Sequence, residues 1–196
     1  MPDDLLSALP MRRGHFLLES GYHTDLWLTL DALFVSPAAI APQVAALAAL
    51  LLPHTPTAVC GPLLGGAFLA QALAAHMGVR FYFSQPMAAA AAGGLFAARY
   101  ELPLALCQRV ADERIALVDD VISAGSSVRA TTAALTAAGA TTVAVGSLLR
   151  LGSQAEEHFA ALNVPMVALS KQAFHLWQPA ECPLCRAGRP LETPAG

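Results

Sequence analysis

The chain is short of charge and almost without lysine. Only 13% of its 196 residues are charged, and Lys171 is the single lysine. The formal net charge is −3. That balance leaves no electrostatic footprint for nucleic acid, and no basic run suits a membrane surface. Long hydrophobic runs are missing too. The longest apolar stretch, residues 38–52, contains Pro42 and Gln43 and is too short to cross a bilayer. The opening MPDDLLSALPMRRGHF puts acids before its arginines, which is not the charged-then-apolar order of a signal peptide. Neither GxxxxGK[ST] nor GxGxxG occurs, so a P-loop kinase and a dinucleotide enzyme are disfavoured. The expectation is a soluble cytoplasmic protein that binds neither nucleic acid nor membrane.

Cysteine is scarce, and its spacing matters. Cys60 and Cys107 stand singly in apolar surroundings and read as buried free thiols. Cys182-Pro-Leu-Cys185 has the spacing of half a zinc ribbon. No second CxxC and no paired histidines accompany it in sequence. A local disulfide or plain thiols are therefore expected ahead of zinc, and no metal ligand is assigned.

What the chain has in quantity is apolar surface. Hydrophobic residues make up 56%, enough for one well-packed domain spanning 1–196. Short apolar runs at 57–60, 79–84, 114–118, 141–149 and 165–170 alternate with helical patterns at 64–77, 126–138 and 153–162. Gly78, Gly139 and Asn163 stand where these helices should stop. Strands apolar throughout, with helices between them, predict an α/β fold: a parallel sheet covered on both faces. Residues 1–36 read as an irregular or β segment with a turn at Ser20-Gly21, followed by a first long helix at 37–52. The proline-rich tail after 172 reads as a cap. MAAAAAGG at 87–94 reads as a mobile loop.

One stretch carries chemistry. IALVDDVISAGSSVR, residues 115–129, runs an apolar strand into two adjacent aspartates and then a small-residue turn. The strand is expected to end at the acids and a helix to begin near Ser126. Ligands of open parallel sheets bind just beyond the carboxyl ends of the strands. In the turn Ser123-Ala124-Gly125-Ser126-Ser127, small residues let a phosphate approach unpaired helix-start amides, and three hydroxyls can donate to it. An ordinary serine N-cap accounts for one hydroxyl, not for three with a glycine and two acids. If the phosphate belongs to a sugar, Asp119 and Asp120 can accept from vicinal hydroxyls and help hold Mg²⁺.

LVDDVISAGSSVR resembles the phosphoribosyl-pyrophosphate (PRPP) signature of type I phosphoribosyltransferases. GHFLLESGYHTDLWLTLDALF, VCGPLLGGAFLAQALA and ECPLCRAGRPLE resemble, in order, segments of the orotate branch. The resemblance implies a parallel-sheet core with a hood built from the chain ends (1–36 and 172–196), and a homodimer. It also implies Mg²⁺-dependent transfer of phosphoribosyl from PRPP to orotate or a related base. By this resemblance Asp119 and Asp120 hold the ribose diol and count as catalytic. Ser123, Ala124, Gly125, Ser126 and Ser127 wrap the 5-phosphate. Gly61, Pro62 and Leu63 approach the pyrophosphate with their amides, and Arg150 grips the orotate carboxylate in a two-point fork.

The chain departs from the family in its cations. Glu19 stands where a lysine is common, Gln85 where an arginine is common, and the loop at 84–99 is rich in alanine. Three readings follow: an active transferase, a PRPP-binding regulatory relative without turnover, or a structural protein with a vestigial acid pair. His23 and Asp25 read as substrate contacts or turn-forming residues, and Trp27 and Trp177 as hood packing.

Overall fold

In the computed structural model, residues 11–18, 21–28, 31–87, 99–173 and 175–193 are described. The chain starts with an antiparallel hairpin, β1 (Met11–Leu17) and β2 (His23–Leu28). Gly21 turns it at φ +79°, a conformation that glycine adopts without strain. Within the segment read as irregular or β, residues 11–17 and 23–28 are β and Asp31–Phe34 form a 3₁₀ turn, while residues 1–10 lie outside the described residues.

Helix α1 (Pro37–Leu51) begins where Ser36 accepts from the Ala39 amide, with Pro37 fitting the first helical position. Ile40, Val44, Leu47, Ala48 and Leu51 form its buried stripe. With the following 3₁₀ turn it spans Pro37–His54, long and apolar enough to cross a membrane by length and composition alone. That is slightly longer than the sequence suggested. The stripe is packed into the core, on the sheet and the next helix.

Strand β3 (Ala58–Pro62) leads to α2 (Gly65–Met77), which Gly78 stops at φ +69°. Then come β4 (Arg80–Pro86), β5 (Tyr100–Glu101), α3 (Leu104–Cys107), β6 (Arg114–Ile122) and α4 (Ser126–Ala137). The last elements are β7 (Thr141–Leu151), α5 (Gln154–Ala161), β8 (Met166–Gln172), β9 (Leu176–Trp177) and α6 (Pro183–Arg186). Most of the alanine-rich stretch 87–94 lies outside the described residues, as does Glu19.

Two sheets result. The larger has the order β5-β4-β3-β6-β7-β8, parallel except for β5 against β4. The chain winds outward from β3 to β4 and then crosses back to β6, so the order reverses between β3 and β6. The smaller sheet, β1-β2-β9, joins the two chain ends. Side chains of β6 alternate between two cores. Ala116 and Val118 meet α1 and α2, through Leu47, Leu51, Leu69 and Leu73. Ile115 and Leu117 meet α4 and α5, through Val128, Leu135 and Phe159. Burial on both faces is why these strands read as unbroken apolar runs. Cys60 is fully buried, and burial pushes its thiol up to about 12. Cys107 is half-buried, its thiol 3.5 Å from the Leu102 carbonyl oxygen.

At the amino edge of the sheet Glu113 is buried beneath the starts of β3, β4 and β6. Arg80 Nη2 donates to its carboxylate at 2.7 Å, and the Thr57 and Tyr82 hydroxyls donate as well. Burial opposes ionisation, but the Arg80 and Thr57 hydrogen bonds outweigh it and hold the Glu113 carboxyl below its usual range. A depressed carboxylate stabilises the fold above its unfolded-state value, and that stability is lost as pH falls through the native value. Glu113→Gln should therefore cost about 1–3 kcal/mol at neutral pH. It should also flatten the acid limb of stability against pH, as read from urea midpoints at neutral pH and below pH about 4.

Candidate active site at the carboxyl edge of the sheet

The acids lie on an overhang. Parallel pairing of β3 with β6 stops at Cys60 opposite Leu117, whereas β6 with β7 continues through Asp119–Ser147 to Ile122–Arg150. The strand expected to end at 118 therefore runs through both acids, because β7 goes on supplying a partner. Beyond Leu117 the other side of β6 faces the start of α2. There the fit is close enough to demand glycine. A Cβ on Gly66 would lie 2.6 Å from Asp119 Oδ1, and one on Gly65 would run into the Asp120 carboxylate.

Asp119 is buried and Asp120 half-buried. Ser127 Oγ donates to Asp119 Oδ2 at 2.8 Å, and the Asp120 amide donates to Asp119 Oδ1 at 3.1 Å. The Val121 amide donates to Asp120 Oδ1 at 2.8 Å. Burial first, and then the neighbouring Asp120 charge, push Asp119 well above the usual carboxylate range, against the pull of Ser127. No cationic side chain contributes to that balance.

The turn 123–127 follows directly. Gly125 sits at φ +81°, and no side chain caps the first amides of α4. Ala124 is buried, and a Cβ on Gly125 would lie 2.9 Å from the Ala155 Cβ, so the turn is packed close. Ser123 and Ala124 line a cleft of about 270 Å³ together with Leu151, Gly152, Ser153, Gln154, His175, Leu176 and Trp177. His175 and Trp177 stack there, centroids 5.5 Å apart and planes at 2°. His175 is also 3.2 Å from Asp25, which Arg13 pairs at the same distance. Neither His175 nor the cleft role of Trp177 was visible in sequence; the tail that carries them gives no periodic signal.

Two expectations need correction. Gly61 and Pro62 lie inside β3, opposite Phe83 and Ser84. Proline has no amide hydrogen, and the Leu63 amide donates to the Ser84 carbonyl at 2.9 Å. These residues thus shape the turn rather than offer its amides. The uncapped amides belong to the start of α2, at Gly65 and Gly66. Arg150 lies one residue before the end of β7, with its guanidinium ion-paired to Glu156 of α5 and outside the lining of the cleft. His23 is not in the turn: it is buried in β2 beside His15, Cys182 and Cys185. The histidines missing from the CxxC neighbourhood in sequence are supplied by the fold. The two cysteines are free thiols.

The phosphoribosyl transferase domain family matches residues 37–176, which include every element of this edge. The chain belongs to that family. It is 30% identical over 188 residues to the orotate phosphoribosyltransferase of Thermotoga maritima, covering 94% of this chain and 91% of that protein. Its fold matches that of the Aeropyrum pernix orotate phosphoribosyltransferase, with TM-score 0.65 and 21% identity over 87% of this chain and 94% of the other. It also matches the Trypanosoma brucei adenine phosphoribosyltransferase, with TM-score 0.68 and 16% identity over 86% of this chain and 78% of the other. The chain is a phosphoribosyltransferase, with PRPP and a base as its substrates.

For this phosphoribosyltransferase the glycine contacts make a direct prediction. Gly65→Ala adds one methyl that displaces the Asp120 carboxylate. PRPP affinity measured by calorimetry should fall roughly tenfold or more, about 1.4 kcal/mol. The melting temperature should stay near that of the parent, because Ala is a better helix former than Gly.

Proposed function

We propose that the chain is an orotate phosphoribosyltransferase, transferring phosphoribosyl from PRPP to orotate with release of pyrophosphate in the presence of Mg²⁺. The observation that carries the reading is the seating of Asp119 and Asp120 against Gly65 and Gly66, at the reversal of strand order between β3 and β6. The full-length likeness to an orotate phosphoribosyltransferase supports the choice of base.

In this reading the amides of the 123–127 turn and the start of α4 bind the 5-phosphate, and Asp119 and Asp120 accept hydrogen bonds from the ribose 2- and 3-hydroxyls. The start of α2 at Gly65 and Gly66 faces the pyrophosphate. The bond from the ribose C1 to the pyrophosphate oxygen breaks, the electron pair leaves with pyrophosphate, and a ring nitrogen of the base bonds to C1. The chain contributes chiefly by holding base and sugar in line and by presenting fixed dipoles to the departing anion.

Two adjacent carboxylates form a hard oxygen donor set, which suits Mg²⁺. Asp119 and Asp120 would hold the ion together with substrate oxygens. When bound, it supplies charge neutralisation at the pyrophosphate. The stacked His175 and Trp177 offer a flat aromatic wall for the base, and Arg150, once released from Glu156, a fork for its carboxylate. We also propose a homodimer in the cytoplasm.

Pyrophosphate release from PRPP and Mg²⁺ with a panel of orotate, uracil, adenine and hypoxanthine tests this. Turnover should appear with orotate, and Asp119→Asn should lower it by roughly a hundredfold. Turnover with another base only would overturn the choice of orotate. PRPP binding without turnover on any base would leave a ligand-binding relative. Arg150→Ala should raise the KM for orotate roughly tenfold while PRPP binding is unchanged. A merely structural arginine would shift the melting temperature and leave that KM alone.

A further inference from the structure

A second constellation lies in the small sheet, outside the PRPP machinery. His15 is on β1, His23 on β2, and Cys182 and Cys185 flank the start of α6. One ligand atom from each lies within 4.8 Å of the other three. His15 Nε2 is 3.0 Å from His23 Nδ1 and 3.4 Å from Cys182 Sγ. Cys185 Sγ is 3.7 Å from His15 Nε2 and 3.3 Å from His23 Nδ1. The edges of a tetrahedral zinc site with ordinary Zn–N and Zn–S bonds are about 3.3–3.8 Å. The four atoms already stand near the corners of such a tetrahedron.

The surroundings fix the roles. His15 Nδ1 lies 2.9 Å from the Arg189 carbonyl oxygen. A carbonyl only accepts, so Nδ1 carries the hydrogen and Nε2 turns its lone pair inward, toward the other three groups. That is the outer hydrogen bond by which metal-bound histidines are oriented. The β1–β2 register shifts between Arg13 and Phe16, the stretch that holds His15, and such an irregularity re-aims a side chain. His15, His23 and Cys182 are buried, while Cys185 is exposed and gives an ion a way in. With four protein ligands, two nitrogen and two sulfur, the site has no open position for substrate.

We propose that His15, His23, Cys182 and Cys185 bind one structural Zn²⁺ that fastens the C-terminal tail to the N-terminal hairpin. Binding takes the cysteines as thiolates, and their protons leave to solvent. Nothing is oxidised or reduced. The ion is not part of the PRPP site: its ligands come from β1, β2 and the segment around α6, none of which carries Asp119, Asp120 or the 123–127 turn. What it would hold is the strand pairing next door, where His23 of β2 lies opposite Trp177 of β9.

The test uses the full chain, purified without added metal and dialysed to constant composition. Elemental analysis should find one zinc per chain, unchanged in the Asp119→Asn, Asp120→Asn double variant and lost from Cys185→Ser. Cys185 is exposed, so that variant should still fold. Stripped protein titrated with Co²⁺ should show thiolate-to-cobalt charge transfer and the intense visible bands of a tetrahedral ion. Chelation should lower the melting temperature by about 10 °C, and zinc should restore it. Protein that retains no metal and gives no cobalt spectrum would overturn the proposal. So would a Cys182–Cys185 disulfide in the intact mass of freshly isolated protein. Full zinc content in both Cys185→Ser and His23→Asn would also overturn it. Orotate turnover plays no part in these readouts, so they stand apart from the fate of the transferase reading.

Discussion

The site depends on a difference in strand length. β6 outruns β3 by enough residues to carry Asp119 and Asp120 beyond their shared ladder while β7 still supports them. The two carboxylates hang over the first turn of α2, and only glycine fits beneath them. Close approach and burial make both acids costly to ionise together. Ser127 and two backbone amides offset part of that cost. The remainder is the physical basis for a site that favours hydroxyl donors or a hard cation. A strand stopping at Leu117 would leave the acids on a solvated loop, where they would repel weakly and select little.

The charge-poor composition then takes on a spatial meaning. Arginines of the described chain are mostly committed at places other than the acid pair. Arg80 and Arg114 hold the amino edge, to Glu113 and to the His54 and Thr55 carbonyls. Arg12 and Arg13 pair Glu192 and Asp25 in the small sheet. Arg129 and Arg150 reach α5, at the Gln154 carbonyl and Glu156. Helix-start amides of α2 and α4, fixed in place by the fold, add positive potential at the carboxyl edge. Such dipoles need no reorganisation when an anion arrives, unlike a flexible lysine.

How much of this was legible depended on distance along the chain. LVDDVISAGSSVR keeps strand, acids, turn and helix start within a dozen positions, so its pattern is readable without a structure. The sheet was readable because strands buried on both faces leave unbroken apolar runs. Where β6 stops was not readable, since the residues that extend it, Ser147 to Arg150, lie on another strand. Nor was the Leu63 amide's commitment to Ser84, which only the β3–β4 pairing creates. The histidine–cysteine cluster is the extreme case. Cys182 and His15 are 167 positions apart, and each half alone reads as an ordinary turn or a stray CxxC.

The small sheet stands to gain more from a staple than the large sheet does. Its third strand is two residues long and pairs with β2, in a tail with little regular structure. Among the described residues the tail is fastened by small contacts: the short β2–β9 pairing, an isolated bridge from Phe16 to Glu192 with two backbone hydrogen bonds, the His15–Arg189 and His175–Asp25 contacts, and an exposed ion pair to Arg12. Exposed pairs contribute little, and a sheet of three short strands is near the lower limit of size for independent stability. Yet Trp177 and His175 line the cleft beside this sheet, so in the proposed reading its position sets the wall offered to the base. An ion bound by both chain ends would close a loop of nearly the whole chain, the case in which a cross-link removes the most entropy from the unfolded state. A metal with no role in bond breaking can in this way set the geometry of the site that breaks bonds.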